Sequence, residues 1–367
     1  MKIECGKDKL KDAVVILGKI AARNLSLPIL QSILVEAKEK TLILKATNLD
    51  IGLEVKIPAK VEKAGSVAIP ADILGAFLSG LSSDSQTIKM DLINNNISIS
   101  TTRNSTIIKS FPVDDFPIIP RIQKDSSFSI EANKWVSGIK AVSYSASISD
   151  MKPEISSVFI YTDNDDLFFV STDSFRLAEK KVSNPNKENK MSLIIPIKNG
   201  IEIARIFEQS TDLIDIYFNK NQLSIISSSV YFTSRVVGGI FPDYKQIIPK
   251  QKTTEVVILK KDLIDSIKIS NIFSDKFNQI NIKVIPEDSL FEISSKNQEK
   301  GESSTTVPAT IEGKGIDVNL NAKYILDCLQ SIDSDSIHIS FNDANKPVII
   351  KGIGDGSFLY LVMPMNI

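Results

Sequence analysis

Six amphipathic segments with helical periodicity begin at Lys7, Ala71, Ala132, Lys198, Lys260 and Ala322, at intervals of 61 to 66 residues along a chain of 367. Self-similarity at a fixed period means that one small supersecondary unit recurs, and any fold for this chain has to accommodate all six copies. Each helix-like stretch is followed by β-branched and aromatic runs broken by polar turns, at 42–54, 97–111, 167–182, 223–237, 290–307 and 348–363. Further strand patterns occupy 29–37, 158–161 and 278–284, so strands outnumber helices.

A longer repeat overlies the short one. Phe111-Pro112-Val113-Asp114-Asp115-Phe116-Pro117-Ile118-Ile119-Pro120 is echoed by Phe241-Pro242-Asp243-Tyr244-Lys245-Gln246-Ile247-Ile248-Pro249, and Met363-Pro364-Met365 stands in the corresponding place at the end. Proline is excluded from central strands, so these segments read as connections. The expected architecture is α+β: three similar domains, 1–124, 125–250 and 251–367, each of two helix-plus-antiparallel-strands units.

The first helix shows the logic of its faces. At about 100° per residue, Leu10, Ala13, Val14, Leu17, Ile20 and Ala21 gather on one side and Lys7, Lys11, Lys19 and Arg23 on the other, with Val15 and Ile16 intruding on the basic arc. One side is suited to packing on a sheet. Across the helix windows 7–23, 71–82, 132–146, 198–208, 260–273 and 322–332 there are 13 basic and 8 acidic residues, a charge of +5, against -6 for the remainder and -1 overall. Such segregation suits attraction to phosphate without base reading.

Catalytic equipment is sparse. His338, the one histidine, alternates with Ile337 and Ile339 as an exposed strand side chain, so Ser-His, Cys-His and multi-histidine metal chemistry would all have to pass through it. Cys5 and Cys328, far apart, give neither a disulfide framework nor a thiolate zinc site and read as free thiols of a reducing cytosol. No stretch approaches the roughly 18 apolar residues of a membrane span, and charges interrupt the first residues, so no signal peptide is expected; the expected location is cytoplasmic, with no membrane association. No cofactor and no metal are expected. Gly352-Ile353-Gly354-Asp355-Gly356-Ser357 and Asp163-Asn164-Asp165-Asp166 each join two strands and read as turns, not as a phosphate or calcium loop. Residues 181–190 and 294–305 read as polar loops.

Leu27-Pro28-Ile29-Leu30, Ala46-Thr47-Asn48-Leu49, Ser171-Thr172-Asp173-Ser174-Phe175-Arg176-Leu177-Ala178, Phe241-Pro242-Asp243-Tyr244 and Val362-Met363-Pro364-Met365 carry a family likeness. Through them the chain, over essentially its full length, resembles the bacterial DNA polymerase III beta subunits, the sliding clamps. The resemblance implies a DNA polymerase processivity factor without enzymatic activity. Two three-domain crescents would join head to tail as a homodimer and close into a ring, helices lining the hole and sheets outside. Double-stranded DNA would be held by enclosure, independently of sequence, inside a lining of twice +5. The family's DNA contacts carry over to Lys198 and Arg205, with Arg23 nearby; Lys134 and Lys140 are added from helix charge alone.

The resemblance also implies one apolar pocket per chain that docks short linear peptides of the replicative polymerase, the clamp loader and repair proteins. Its matching positions are Ile155, Thr172, Ser174, Phe175, Arg176 and Leu177, then Pro242 and Ile247, and finally Tyr324, Pro347, Leu361, Met363, Pro364 and Met365. Flexible methionines and aliphatics suit varied anchors, while Tyr324 and Arg176 supply polar orientation. Ile272 and Phe273 match the family's apolar dimer contacts, opposite Thr106 and Ile108. The chain departs from the family's usual residues at Ser174-Phe175 (often Gly-His), Thr106 and Glu154 (often aromatic) and Asn366 (usually basic).

Two other readings compete: a β-rich protein-interaction scaffold that uses the carboxy-terminal pocket without encircling DNA, and a hydrolase built on pairs such as Asp114-Asp115. Adjacent carboxylates in a strand point to opposite faces, which counts against the second.

Overall fold

The computed structural model describes residues 1–21, 27–82, 86–122, 127–183 and 190–365. Among them are six α-helices: α1 (Lys7–Ile20), α2 (Ala71–Gly80), α3 (Ala132–Ser143), α4 (Ile197–Phe207), α5 (Lys260–Ile272) and α6 (Ala322–Leu329). Five begin at the predicted residue and α4 begins one residue earlier. Most helix starts are secured by a carbonyl from a neighbouring loop, which takes the first helical N–H that the helix itself leaves unpaired. Lys7 N donates to Gln86 O, Ala132 N to Asp212 O, Ile197 N to Ser156 O, Lys260 N to Asp335 O and Ala322 N to Asn278 O, at 2.8 to 3.0 Å. α6 adds a side-chain cap, Asn321 Oδ1 accepting from Tyr324 N at 3.1 Å.

The described chain divides into two compact units, 1–132 with 206–236, and 133–205 with 237–367. The first holds a twelve-stranded sheet. Its main path runs Ser105–Lys109, Asn96–Ser100, Thr87–Ile93, Lys2–Gly6, Ile51–Lys63, Val230–Arg235, Gln222–Ile226, Leu213–Phe218, Ser127–Glu131. Thr41–Thr47, Ser32–Lys38 and Gly65–Pro70 branch from the long strand Ile51–Lys63. The second unit holds a nine-stranded sheet in the order Ser192–Pro196, Ser157–Asp163, Asp166–Thr172, Arg176–Ser183, Phe358–Val362, Val348–Gly352, Ser336–Phe341, Thr254–Leu259, Ala309–Gly313. Beside it is a four-stranded sheet, Gly301–Thr306, Leu290–Asn297, Gln279–Ile285, Ile316–Asn321. The ladders are antiparallel, as the α+β reading requires.

α1 turns Leu10, Ala13, Val14, Leu17 and Ile20 inward and packs against α2 and the strands Thr41–Thr47 and Ile51–Lys63. Lys7, assigned by angle to the basic face, is instead buried, with Nζ donating to Ser82 O at 3.1 Å. A long aliphatic stem lets a lysine at a helix start cover apolar surface and still find an acceptor. α5 packs against α6 and Leu290–Asn297. In α3, Gly138 admits the Phe169 ring, which would lie 2.4 Å from a Cβ at that position, and Trp135 meets the same ring edge-on at 5.3 Å.

Three local expectations are corrected. Residues 294–305 form a hairpin rather than a loop, from Leu290–Asn297 and Gly301–Thr306; a Ser/Thr edge strand with largely exposed side chains shows no apolar alternation in its sequence. Residues 181–183 complete the strand Arg176–Ser183, while 184–189 lie outside the described residues. His338 is half-buried, with Nε2 3.6 Å from the Glu255 carboxylate. The turns at 163–166 and 352–357 join strands as read, with Asn164 at φ 52° and Gly354 at φ 78°. Both cysteines are buried and unpaired, and burial pushes the Cys5 thiol up to about 12. No helix among the described residues is long and apolar enough to cross a membrane.

Candidate functional site

Strands Asp166–Thr172 and Arg176–Ser183 pair up to Thr172↔Leu177, and a short polar loop joins them. Side chains of the loop replace the missing ladder bonds, as Asp and Thr do in tight turns. Asp173 Oδ1 accepts from the N–H groups of Phe175 and Arg176, both at 2.9 Å. Thr172 Oγ1 accepts from Ser174 N at 3.1 Å and donates to Arg176 O at 2.7 Å. Ser174 adopts a left-handed φ of 79°, a conformation that favours glycine, and Phe175 is left 63% exposed at the tip.

Arg176 is buried and tied to α6. Its Nε donates to Asp173 Oδ2 at 2.9 Å and Nη1 to Asp327 Oδ2 at 2.8 Å, while its guanidinium stacks 4.2 Å from the centre of the Tyr324 ring. Burial opposes the charge, but the hydrogen bond to Asp327 and the neighbouring Asp173 carboxylate outweigh it, and the proton is held more tightly than usual. On its other edge, Arg176–Ser183 pairs with Phe358–Val362, Leu361 lying opposite Leu177. The chain beyond is pinned by Met363 N to Phe175 O and Met365 N to Asn319 O, both 2.8 Å.

The connector 241–249 is anchored by its aromatics. Phe241 and Tyr244 are buried in a cluster with Val170, Leu177, Ile194, Leu359 and Leu361, and Phe159 stacks on Phe241 at 4.8 Å. The Tyr244 hydroxyl bonds to Glu179 and, at 2.7 Å, to the Tyr161 hydroxyl. Held there, the connector turns once at Tyr244–Ile247 and leaves Ile247 51% exposed.

The result is a cavity of about 650 Å³. Of the expected docking positions, Thr172, Ser174, Phe175, Arg176, Leu177, Ile247, Pro347, Leu361 and Met363 line it. The other five do not. Ile155 is buried, Pro242 is exposed on the connector, Tyr324 lies under Arg176, and Pro364 and Met365 are half-buried beyond Met363. The sequence reading missed Gln246, Ile248, Pro249 and Lys250 on one wall and Asn342, Asn345 and Lys346 on another. Ile248 and Pro249 belong to the repeated proline motif and could have been read from it; the polar loop before Pro347 carries no periodic signal. Among the described residues no carboxylate or histidine side chain lines the cavity, and no group of three or more metal-ligating side chains occurs. Its chemistry is that of binding: apolar walls in a hydrogen-bonded frame.

The first unit contains the same loop. Thr47 Oγ1 donates to Ile51 O at 2.8 Å and accepts from Leu49 N at 3.1 Å, Asn48 Oδ1 accepts from Asp50 N and Ile51 N at 3.0 and 2.7 Å, and Leu49 has φ 77°. Ile51 pairs with Ser234 as Arg176 pairs with Val362, and Gly52 with Thr233 as Leu177 with Leu361. The cavity here is about 310 Å³. Ile119, buried, occupies the space above Gly52, where a Cβ would lie 2.6 Å from Ile119 Cγ2.

Of the basic candidates, Lys134 and Lys140 are exposed on α3. Lys198, 75% exposed in its side chain, pairs with Asp150 at 3.1 Å, and Arg205 pairs with Glu202 at 2.5 Å. Arg23 and Asn366 lie outside the described residues. At the expected dimer positions Ile272 is 63% exposed, and Phe273 and Thr106 are half-buried. Ile108 pairs with core Ile97 and is 4% exposed, whereas Ile107 points outward at 65%. Neighbouring strand residues face opposite ways, so Thr106 and Ile108 share one face of the strand and Ile107 stands on the other. Ser105–Lys109 and Gly301–Thr306 are terminal strands of their sheets.

Sequence models of the DNA polymerase III beta subunit match the chain in three consecutive stretches: the N-terminal domain over residues 1–120, the central domain over 129–243 and the C-terminal domain over 245–366. The beta sliding clamp of Staphylococcus aureus is 26% identical across 95% of this chain and 94% of its own length. That of Synechococcus elongatus is 24% identical across the whole of both. The crystal structure of the Bacillus subtilis DNA polymerase sliding clamp superposes with a TM-score of 0.95 at 24% identity, covering 100% of this chain and 99% of that one. With matches running through all three domains from end to end, the chain belongs to the DNA polymerase III beta subunit family, the beta sliding clamps.

Proposed function

We propose that the chain is a DNA polymerase processivity factor: two copies close head to tail around duplex DNA and slide on it, while the cavity beside Arg176 docks linear peptides of the polymerase, the clamp loader and repair proteins. The match of the family's three domains in order along one chain carries this reading. On it the protein has no turnover of its own and works in the cytoplasm, where its DNA is. Its division into domains 1–124, 125–250 and 251–367 belongs to the same proposal.

Enclosure needs little affinity, because escape requires opening the ring rather than breaking phosphate contacts. The basic side chains suit that role. An exposed pair such as Lys198–Asp150 is worth about 0–1 kcal/mol, so a passing phosphate exchanges with the carboxylate at small cost. Contacts with phosphate alone carry no sequence information and do not pin the ring. For closure, Ser105–Lys109 of one copy would add to Gly301–Thr306 of the other by strand addition, with the face of Thr106 and Ile108 toward Ile272 and Phe273.

Loading tests the reading. With a clamp loader, ATP and nicked circular DNA, the protein should stay on the circles through a high-salt wash and leave when they are linearised. Equal loss from circles and linear DNA would overturn enclosure and leave a scaffold that does not encircle DNA. A solution mass of one chain at all concentrations would overturn the dimer.

A further inference from the structure

We infer that the groove beside Gly52 is a peptide site in its own right, held shut by the chain's own residues 117–121, and that its ligand class is an extended segment presenting an aliphatic side chain, a proline carbonyl and a cation in succession. The connector lies on the sheet here without joining it. Pro117 and Pro120 have no N–H to give to a ladder, so the segment is recognised through its side chains and a carbonyl, as a bound peptide is. Ile118 is exposed, whereas the next residue, Ile119, is buried. This site is separate from the cavity beside Arg176 and does not depend on what that cavity docks.

Three features of the sheet make the seat. Gly52 supplies the first: a Cβ there would lie 2.6 Å from Ile119 Cγ2 and 3.0 Å from Thr233 Cγ2, so bare backbone is what admits the aliphatic side chain. The second is buried Tyr231, whose hydroxyl donates to Pro120 O at 2.8 Å. The third is buried Glu54, which accepts from Arg121 Nη2 at 2.5 Å while the guanidinium stacks 4.3 Å from the centre of the Tyr231 ring. A carboxylate withdrawn from water needs a cation in good geometry, and Lys45 Nζ stands 4.0 Å away. The matching registers put Leu177, Leu359 and Glu179 of the second unit in the places of Gly52, Tyr231 and Glu54. Leu359 offers no hydroxyl, Glu179 is taken by Tyr244, and Lys250, in the place of Arg121, is exposed. The complete seat is a property of the first unit, and the segment that fills it supplies the complementary group at each point. A second segment of the same chemistry would have to compete with a resident whose short tether gives it an effective concentration of roughly millimolar or more.

The test uses the full chain and a fluorescently labelled synthetic peptide, Phe-Pro-Ile-Ile-Pro-Arg, the sequence of residues 116–121. The Ile119→Ala, Arg121→Gln protein keeps Gly52, Tyr231 and Glu54 but vacates two of the three points. The peptide should bind it about tenfold tighter than it binds the native protein, and should raise its melting temperature towards the native one. Any binding at the second-unit cavity is common to both proteins and cancels from the comparison. Replacing the second isoleucine of the peptide by glycine, or its arginine by glutamine, should each weaken binding by about tenfold, the scale of losing one aliphatic seat or one partner of a buried charge. Should the double variant fail to fold, Ile119→Ala alone is compared with Ile118→Ala, and only the first should gain affinity for the peptide. Equal affinity for the native and substituted proteins, or indifference to both changes in the peptide, overturns the inference.

Discussion

In the first unit Thr47 and Asn48 close a loop whose strand continues into Gly52, and the connector's Ile119 drops onto that glycine; in the second, Thr172 and Asp173 close the same loop, the strand continues into Leu177, and Ile248, in the place of Ile119 in the connector motif, is half-buried in the cavity wall. The hydrogen bonds agree one for one, yet the cavities differ, about 310 against 650 Å³. Side-chain volume on the adjoining strands makes the difference. A glycine lets the chain fill its own groove, and Thr233 and Arg235 complete a polar wall; Leu177 occupies that space in the second unit, where Leu361 and Met363 supply apolar walls. The loop frame is thus a repeated scaffold, and availability for a guest is decided by the residues packed around it.

Breaking the anchor of the open copy should have the largest effect. Arg176→Ala leaves Asp173 and Asp327 facing each other without their cation and should cost about 3 kcal/mol in denaturant unfolding, with peptide affinity lost as the loop relaxes. A cost below about 1 kcal/mol would show that the network is not what holds the loop. Gly52→Ala attacks the filled copy. Its Cβ forces Ile119 out of the groove, at about 2 kcal/mol, with faster amide exchange over 116–120; an unchanged melting curve would contradict the self-filled groove. Smallest is Ser174→Gly, which relieves a left-handed backbone and should stabilise by less than about 1 kcal/mol, since glycine also loosens the unfolded chain. Destabilisation there would mean that the Ser174 side chain makes a contact worth more than the strain.

Much of the fold was legible because helices and strands announce themselves by period. Five helix starts were read to the residue, and the proline-bearing connectors marked the elements that cover the sheet faces. What escaped was anything set by register or by a lone side chain. Adjacent Ile107 and Ile108 are equivalent in sequence, and only pairing of Ile108 with Ile97 decides which is inside. Lys7 looks solvent-facing until Ser82 supplies an acceptor. At the site, the positions from the loop and the terminal strand converge on one cavity. The wall at Asn342, Asn345 and Lys346 was invisible because it is an aperiodic polar turn.

The way helices begin bears on what can be cut from this chain. In the second unit the first N–H of α5 is taken by Asp335, which follows α6, and the first N–H of α6 by Asn278, which follows α5. Each partner therefore supplies the stitch that finishes the other. A fragment holding only one such repeat, of about sixty residues and so marginal in size, would start its helix with a dangling donor and bare one flank of its sheet. The smallest portion able to stand alone is a couple of repeats, and dissection between them should yield two unfolded pieces rather than two half-sized proteins.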